Sequence, residues 1–214
     1  FFFKQKTAYE IYQCDWSSDV CSSDLKRANV REFSLRPTRP GDDPNIVITD
    51  PNEVVRQFDG VAKQATGGCL FYVTSHGSPD GALFGPNTLL RPGILHRLLD
   101  NVCGARPTVV VISACFSGVF VPELSAPNRM VMTAARPDRS SFGCSDKDKY
   151  PYFDECILKS LPEARDFIVL SRKTRECVAK KEADFNLSPS SEPQTYVGGE
   201  IGLLLPFMQF GATH

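Results

Sequence analysis

Two segments, CLFYVTSHG (residues 69–77) and TVVVISACFSG (residues 108–118), each open as an unbroken apolar run and close on small or polar residues. A strand with one wet face alternates apolar and polar side chains. A run without alternation suits a strand covered on both faces, as in a parallel sheet between helical layers. RMVMT (129–133) reads the same way and ends in the polar loop 134–148. Between these runs lie helical signals. Asp50-Pro51-Asn52-Glu53 combines an N-cap acid, proline at the first helical position and an acid three residues after the cap. Val54, Val55, Phe58 and Val61 follow at helical spacing up to Gly67-Gly68, and a second amphipathic helix is predicted over 93–102. Helical spacing returns over 153–161 and from Glu163 to about Ala183, and Tyr196-Val197 reads as a final extended segment. Upstream, VREFSL (30–35) alternates as a short strand, and a stretch with three prolines follows at 36–44. Strand and helix therefore alternate, which predicts an α/β sandwich with a mostly parallel sheet.

The remainder of the composition narrows the function classes. The 214 residues carry 24 Lys+Arg against 25 Asp+Glu, a formal charge of -1, which lacks the basic footprint of a phosphate-backbone binder. The longest terminal apolar run, 201–207, is broken by Gly202 and Pro206 and falls far short of the roughly 18 to 20 residues that span a bilayer. Eight cysteines form no CxxC pair of the zinc-ribbon kind, so no metal is expected and most cysteines are read as small buried apolar residues. No cofactor signature is present.

Residues 1–25 stand apart. The segment has neither helical nor strand period, and Ser-Ser-Asp occurs twice within 17–24. It lacks the basic start, apolar middle and small-residue cleavage site of a signal peptide. It closely resembles the translation of a sequencing-library adapter. It is therefore set aside as non-native or disordered, leaving one domain over 26–214. No targeting information is legible, so the compartment is not inferred from the sequence.

In parallel α/β sheets, ligands bind beyond the carboxyl ends of the strands. His76-Gly77 follows one buried run and Cys115 the next, 39 residues later, a single strand–helix crossover apart. Histidine and cysteine form the minimal base-and-nucleophile set for thiol catalysis, because the thiolate is the attacking species. Gly77 has no Cβ, so its N–H can approach a reacting carbonyl, and with the Cys115 N–H it makes a candidate oxyanion hole. His96 and His214 are read as structural and terminal residues, and the Asn186-Leu187-Ser188 triplet, beside Pro189, is discounted as a glycosylation site. An α/β-hydrolase with a cysteine nucleophile wants glycines two before and two after it and a histidine last in the chain. Ser113, Ser117 and the early His76 rule against it.

With TSHG (74–77) and SACFSG (113–118) in place, and with TAARPDRSSFGC (133–144) and YFDE (152–155) beyond them, the chain resembles the legumain-type cysteine peptidases of the caspase-like clan, most closely their small bacterial members. The resemblance covers most of residues 28–205. It implies a three-layer caspase-like sandwich and peptide-bond hydrolysis by a Cys–His dyad, with Cys115 as nucleophile, His76 as catalytic histidine and Gly77 beside the Cys115 N–H as oxyanion donors. It implies a peptide or protein substrate, with Ser140 and Ser141 in the specificity pocket and an acid there, Glu155 or Asp154, suited to a polar or basic P1 side chain. Two departures stand out. Ser113 replaces the family's glutamate two residues before the nucleophile. Nothing in 26–50 matches the family's first strand and helix, which carry a histidine-orienting asparagine and a pocket arginine, so an interior strand is expected to be missing. A non-catalytic interaction module and a transamidase using the same dyad are the alternative functions. Oligomeric state is not legible.

Overall fold

The computed structural model describes residues 2–4, 30–34, 47–48, 50–65, 67–85, 87–144 and 148–210. In chain order the elements are β1 (Phe2–Lys4), β2 (Glu32–Ser34), β3 (Val47–Ile48), α1 (Pro51–Ala62), β4 (Cys69–Thr74), β5 (Gly77–Ser78), β6 (Gly81–Leu83), β7 (Leu89–Leu90), α2 (Pro92–Val102), β8 (Thr108–Ser113), α3 (Phe120–Leu124), β9 (Arg129–Thr133), α4 (Tyr152–Ser160), α5 (Phe167–Asp184), β10 (Gln194–Val197) and α6 (Gly199–Leu204). Seven strands form one sheet in the order β10-β9-β8-β4-β1-β2-β3. Every pairing is parallel except β10 with β9.

The continuous apolar runs are explained by the two layers they separate. Along β8, Val110 and Ile112 join Val54, Phe58, Leu95, Leu99 and Phe120 on the face covered by α1, α2 and α3. Val109 and Val111 join Phe153, Ile157, Leu170 and Ile201 on the face covered by α4, α5 and α6. All six residues of β8 are buried, so neither face tolerates a polar alternation. The predicted start of α1 is present: the Asp50 carboxylate accepts from Asn52 N–H and Glu53 N–H at 3.0 Å each.

Several expectations are corrected. The interior position expected to be empty is filled by β1, so residues 2–4, part of the segment set aside, run between β4 and β2. The flanking strands would otherwise present unpaired N–H and C=O groups, and any extended backbone can satisfy them. The rest of residues 1–25 lies outside the described residues. The predicted helix from Glu163 starts instead at Phe167, because Asp166 caps it through Val169 N–H at 2.8 Å and a tight turn holds Leu161–Glu163. The glycine-rich loop after His76 contains a three-stranded antiparallel ribbon, β5-β6-β7. Four cysteines are bridged rather than merely buried, as Cys69–Cys103 and Cys156–Cys177.

Candidate active site

The β4–β8 ladder sets the site. Thr74 stands opposite Ser113 at the last rung, and Ser75 N–H donates to Ser113 C=O at 2.9 Å. Both chains therefore leave the sheet at the same level, one toward His76 and the other toward Cys115. The His76 carbonyl accepts from Leu83 N–H at 2.8 Å, and the Ser75 hydroxyl donates to Leu83 C=O at 2.6 Å, so the small ribbon fixes the backbone that presents the exposed imidazole.

Gly77 closes the gap between the two strand ends. A Cβ built there would lie 1.9 Å from the Cys115 carbonyl oxygen and 2.9 Å from its carbon. The His76-Gly77 turn thus packs on the Cys115 backbone, and only glycine permits that approach.

After Cys115 the chain turns sharply. Phe116 has φ 57°, in the left-handed region, and a short helical turn follows at Ser117–Val119. The turn is strapped to the loop beyond β9: Phe116 N–H donates to Arg139 C=O at 2.8 Å, and Ala135 N–H to Ser117 Oγ at 3.2 Å. Gly118 lies so close that a Cβ would meet Pro137 N at 2.5 Å. That loop delivers Ser141, whose N–H donates to Cys115 Sγ at 3.3 Å and whose Oγ lies 3.5 Å from it. Cys115 is half-buried and unbridged. A hydrogen bond from the Cys144 thiol draws it down most, burial opposes, and Ser141 and Ser140 add further hydrogen bonds, leaving its pKa at about 5 instead of 9.0. Such a group is a thiolate at neutral pH.

The structure thus brings Gly77, Ser140 and Ser141 to Cys115, with His76 directly preceding Gly77 in the chain. It gives the two acids other partners. Asp154 is 1% exposed, and its carboxylate accepts from Tyr72 Oη, from Thr74 Oγ1 at 2.8 Å and from Ser113 Oγ at 3.0 Å. Glu155 is ion-paired to Lys159 at 2.5 Å and to Lys181. Burial pushes its pKa up, but hydrogen bonds and charge from the two lysines outweigh that and hold it below the usual range. Lys149, Tyr150, Glu155, Leu158 and Lys159 line a cleft of about 380 Å³. His96 has partners that the sequence did not signal, Asp100 at 3.1 Å and Arg129 at 3.3 Å. Arg129 begins β9 opposite Thr108, so this cluster sits at the far end of the sheet from Cys115. Sequence reasoning also missed Cys144. Three positions beyond Ser141, it carried no spacing signal of its own.

An α/β sandwich with an unbridged cysteine of lowered pKa at the carboxyl end of a central strand is an arrangement suited to a thiol enzyme. The chain belongs to the Peptidase C13 family, whose profile matches residues 20–176. It is a cysteine peptidase of the legumain and caspase-like kind, and its family implies a protein substrate. Its fold is similar to that of caspase-1 from Spodoptera frugiperda, with a TM-score of 0.56 and 14% identity over 92% of this chain and 85% of that one. No curated protein matches it in sequence. Among the described residues no helix is long and apolar enough to cross a membrane, and no group of three or more His, Cys, Asp or Glu is arranged to hold a metal ion.

Proposed function

We propose that the chain is an endopeptidase that cleaves peptide bonds with Cys115 as nucleophile and His76 as its acid–base partner. The observation that carries this reading is the packing of Gly77 on the Cys115 backbone at the shared end of β4 and β8. The Cys115 thiolate attacks the scissile carbonyl carbon, forming a C–S bond and a tetrahedral oxyanion. The N–H groups of Gly77 and Cys115 donate to that oxyanion, each worth about 3 to 4 kcal/mol in the transition state. His76, as imidazolium, passes a proton to the leaving amine, and the C–N bond breaks. Water then enters. His76 takes a proton from it, the thioester is hydrolysed, and the thiolate returns.

Ser140 and Ser141 flank the sulfur and are proposed to line the path of the substrate side chain on the P1 side. The proposal leaves out Asp154 and Glu155 as pocket acids, because their oxygens are occupied by three hydroxyls and by two lysines respectively.

The test is digestion of fluorescein-labelled casein, with separate Cys115→Ala and His76→Ala variants. Both variants are expected to lose turnover, and Cys115→Ala to lose labelling by a peptidyl thiol-reactive probe. Turnover surviving in Cys115→Ala overturns the reading. Amide products appearing when an amine is added would reassign the same dyad to transamidation. A folded wild-type chain without turnover would favour a binding module.

A further inference from the structure

We propose that Asp154 is a positioning residue for the Cys115–His76 pair, acting through the two strand ends that carry it. The inference rests on the dyad reading above. A single carboxylate oxygen, Oδ2, accepts from Thr74 Oγ1 at 2.8 Å and from Ser113 Oγ at 3.0 Å. Those two residues face each other at the last rung of the β4–β8 ladder. His76 lies two residues beyond the first and Cys115 two residues beyond the second. The other oxygen, Oδ1, accepts from Tyr72 Oη, two residues back along β4.

Among the described residues these three donors are hydroxyls, partners that a carboxylate can accept from. Asp154, Thr74 and Ser113 are each no more than 3% exposed, so water does not compete for these bonds. Hydrogen bonds in such low-dielectric surroundings are stronger than the same bonds in water. Backbone pairing alone holds the end of β8 on one side: Ser113 pairs with Thr74 of β4, whereas the β8–β9 ladder ends at Ile112. Here one atom joins the two ends from the α4 side.

The third partner is the loop of the specificity serines. Asp154 sits in the first turn of α4, and the first residue of that helix, Tyr152, donates its N–H to Phe142 C=O at 3.0 Å. The same helical turn therefore holds β4, β8 and the loop that brings Ser141 to Cys115 Sγ. Displacing a catalytic group by about 1 Å costs on the order of a hundredfold in rate. A tie at this place controls the spacing of sulfur, imidazole and serine without touching substrate.

The experiment compares Asp154→Ala and Asp154→Asn with the wild-type chain in labelled-casein digestion, recording kcat, KM and melting temperature. Asp154→Ala is expected to lower kcat about a hundredfold, while KM moves by less than about threefold because no substrate contact is lost. Asp154→Asn keeps the shape and one acceptor oxygen and is expected to recover about tenfold of that loss. Thr74→Val combined with Ser113→Ala removes the tie from the strand side. It is expected to match Asp154→Ala, and adding Asp154→Asn to it should cost little more. This strand-side variant also serves if Asp154→Ala does not fold.

Asp166→Ala, which removes the cap of α5 at the other end of α4, is the stability control. An equal fall in kcat at an equal fall in melting temperature would overturn the proposal. So would a folded Asp154→Ala whose kcat stays within about threefold of wild type. Cys115→Ala, run in parallel, separates the two failures. If it retains turnover the dyad reading fails and this inference falls with it. If it is inactive while Asp154→Ala is fully active, only the positioning role is lost.

Discussion

Alkylation of Cys115 as a function of pH probes the site without a substrate. Cys144, Ser141 and Ser140 draw this thiol from 9.0 to about 5 against the opposing effect of burial. At pH 7 a group at about 5 is ~99% thiolate and one near 9 is ~1%, roughly a hundredfold difference in the reactive form. A less basic thiolate is also a weaker nucleophile: with a Brønsted slope of about 0.4 to 0.5, four pK units cost about 40- to 100-fold. The two effects nearly cancel, so a single rate at neutral pH carries little information and the midpoint carries most of it. Iodoacetamide labelling, read at Cys115 by peptide mass spectrometry because exposed Cys144 also reacts, is expected to be half-maximal near pH 5 and flat above about pH 7. Cys144→Ala removes the largest lowering contact. A hydrogen bond to an ionised group is worth about 1.5 to 3 kcal/mol, or about one to two pK units, so the midpoint should rise by that amount. Stability follows with a definite sign. Because the folded pKa is depressed, the thiolate contribution is complete above the ordinary value near 9 and disappears as pH falls through about 5. Cys115→Ala should therefore have a flatter stability–pH curve in that window. A wild-type midpoint of about 8.5, or one that Cys144→Ala leaves in place, refutes the reasoning.

Gly77→Ala places a methyl 1.9 Å from the Cys115 carbonyl oxygen and should lower kcat/KM by about a hundredfold or more; Gly67→Ala, whose Cβ meets nothing within 4 Å, should be silent in the same casein assay. Glu155→Gln breaks partly exposed ion pairs and should change the unfolding free energy by less than about 1 kcal/mol. Peptide-library profiling should show its P1 preference unchanged. Asp100→Ala strips a charge partner from Arg129, which is 1% exposed, and should cost about 3 kcal/mol in urea denaturation. Turnover at the opposite end of the sheet should be retained.

The central sheet was legible because burial on two faces leaves a mark that short windows detect. The runs 69–73, 108–112 and 129–133 fall within β4, β8 and β9, and their ends place His76 and Cys115 at one edge. The small ribbon after His76 was not legible, since two- and three-residue strands carry no period. The layer that supports the site was illegible for another reason. Tyr72, Thr74, Ser113 and Asp154 are linked across up to 82 positions, and nothing local marks a hydroxyl whose acceptor lies on a distant helix. YFDE was visible as a motif, but whether its acid meets solvent or the core depends on the phase of α4. The disulfides were missed because Cys69–Cys103 and Cys156–Cys177 span separations of 34 and 21 with no shared motif.

Those bridges set opposing demands on the solution around the molecule. On the proposed mechanism Cys115 acts only while its sulfur is reduced, whereas Cys69–Cys103 and Cys156–Cys177 brace the fold only while theirs are oxidised. One bridge fastens β4 to the end of α2 and the other fastens α4 to α5, so each secures a different outer layer, and closing loops of these sizes contributes about 3 to 4 kcal/mol apiece. A mild reductant should therefore revive an oxidised preparation, while a strong one, applied with heat, should dismantle the scaffold. Turnover plotted against ambient redox potential should pass through a maximum, with the nucleophile setting its oxidising flank and the staples its reducing one.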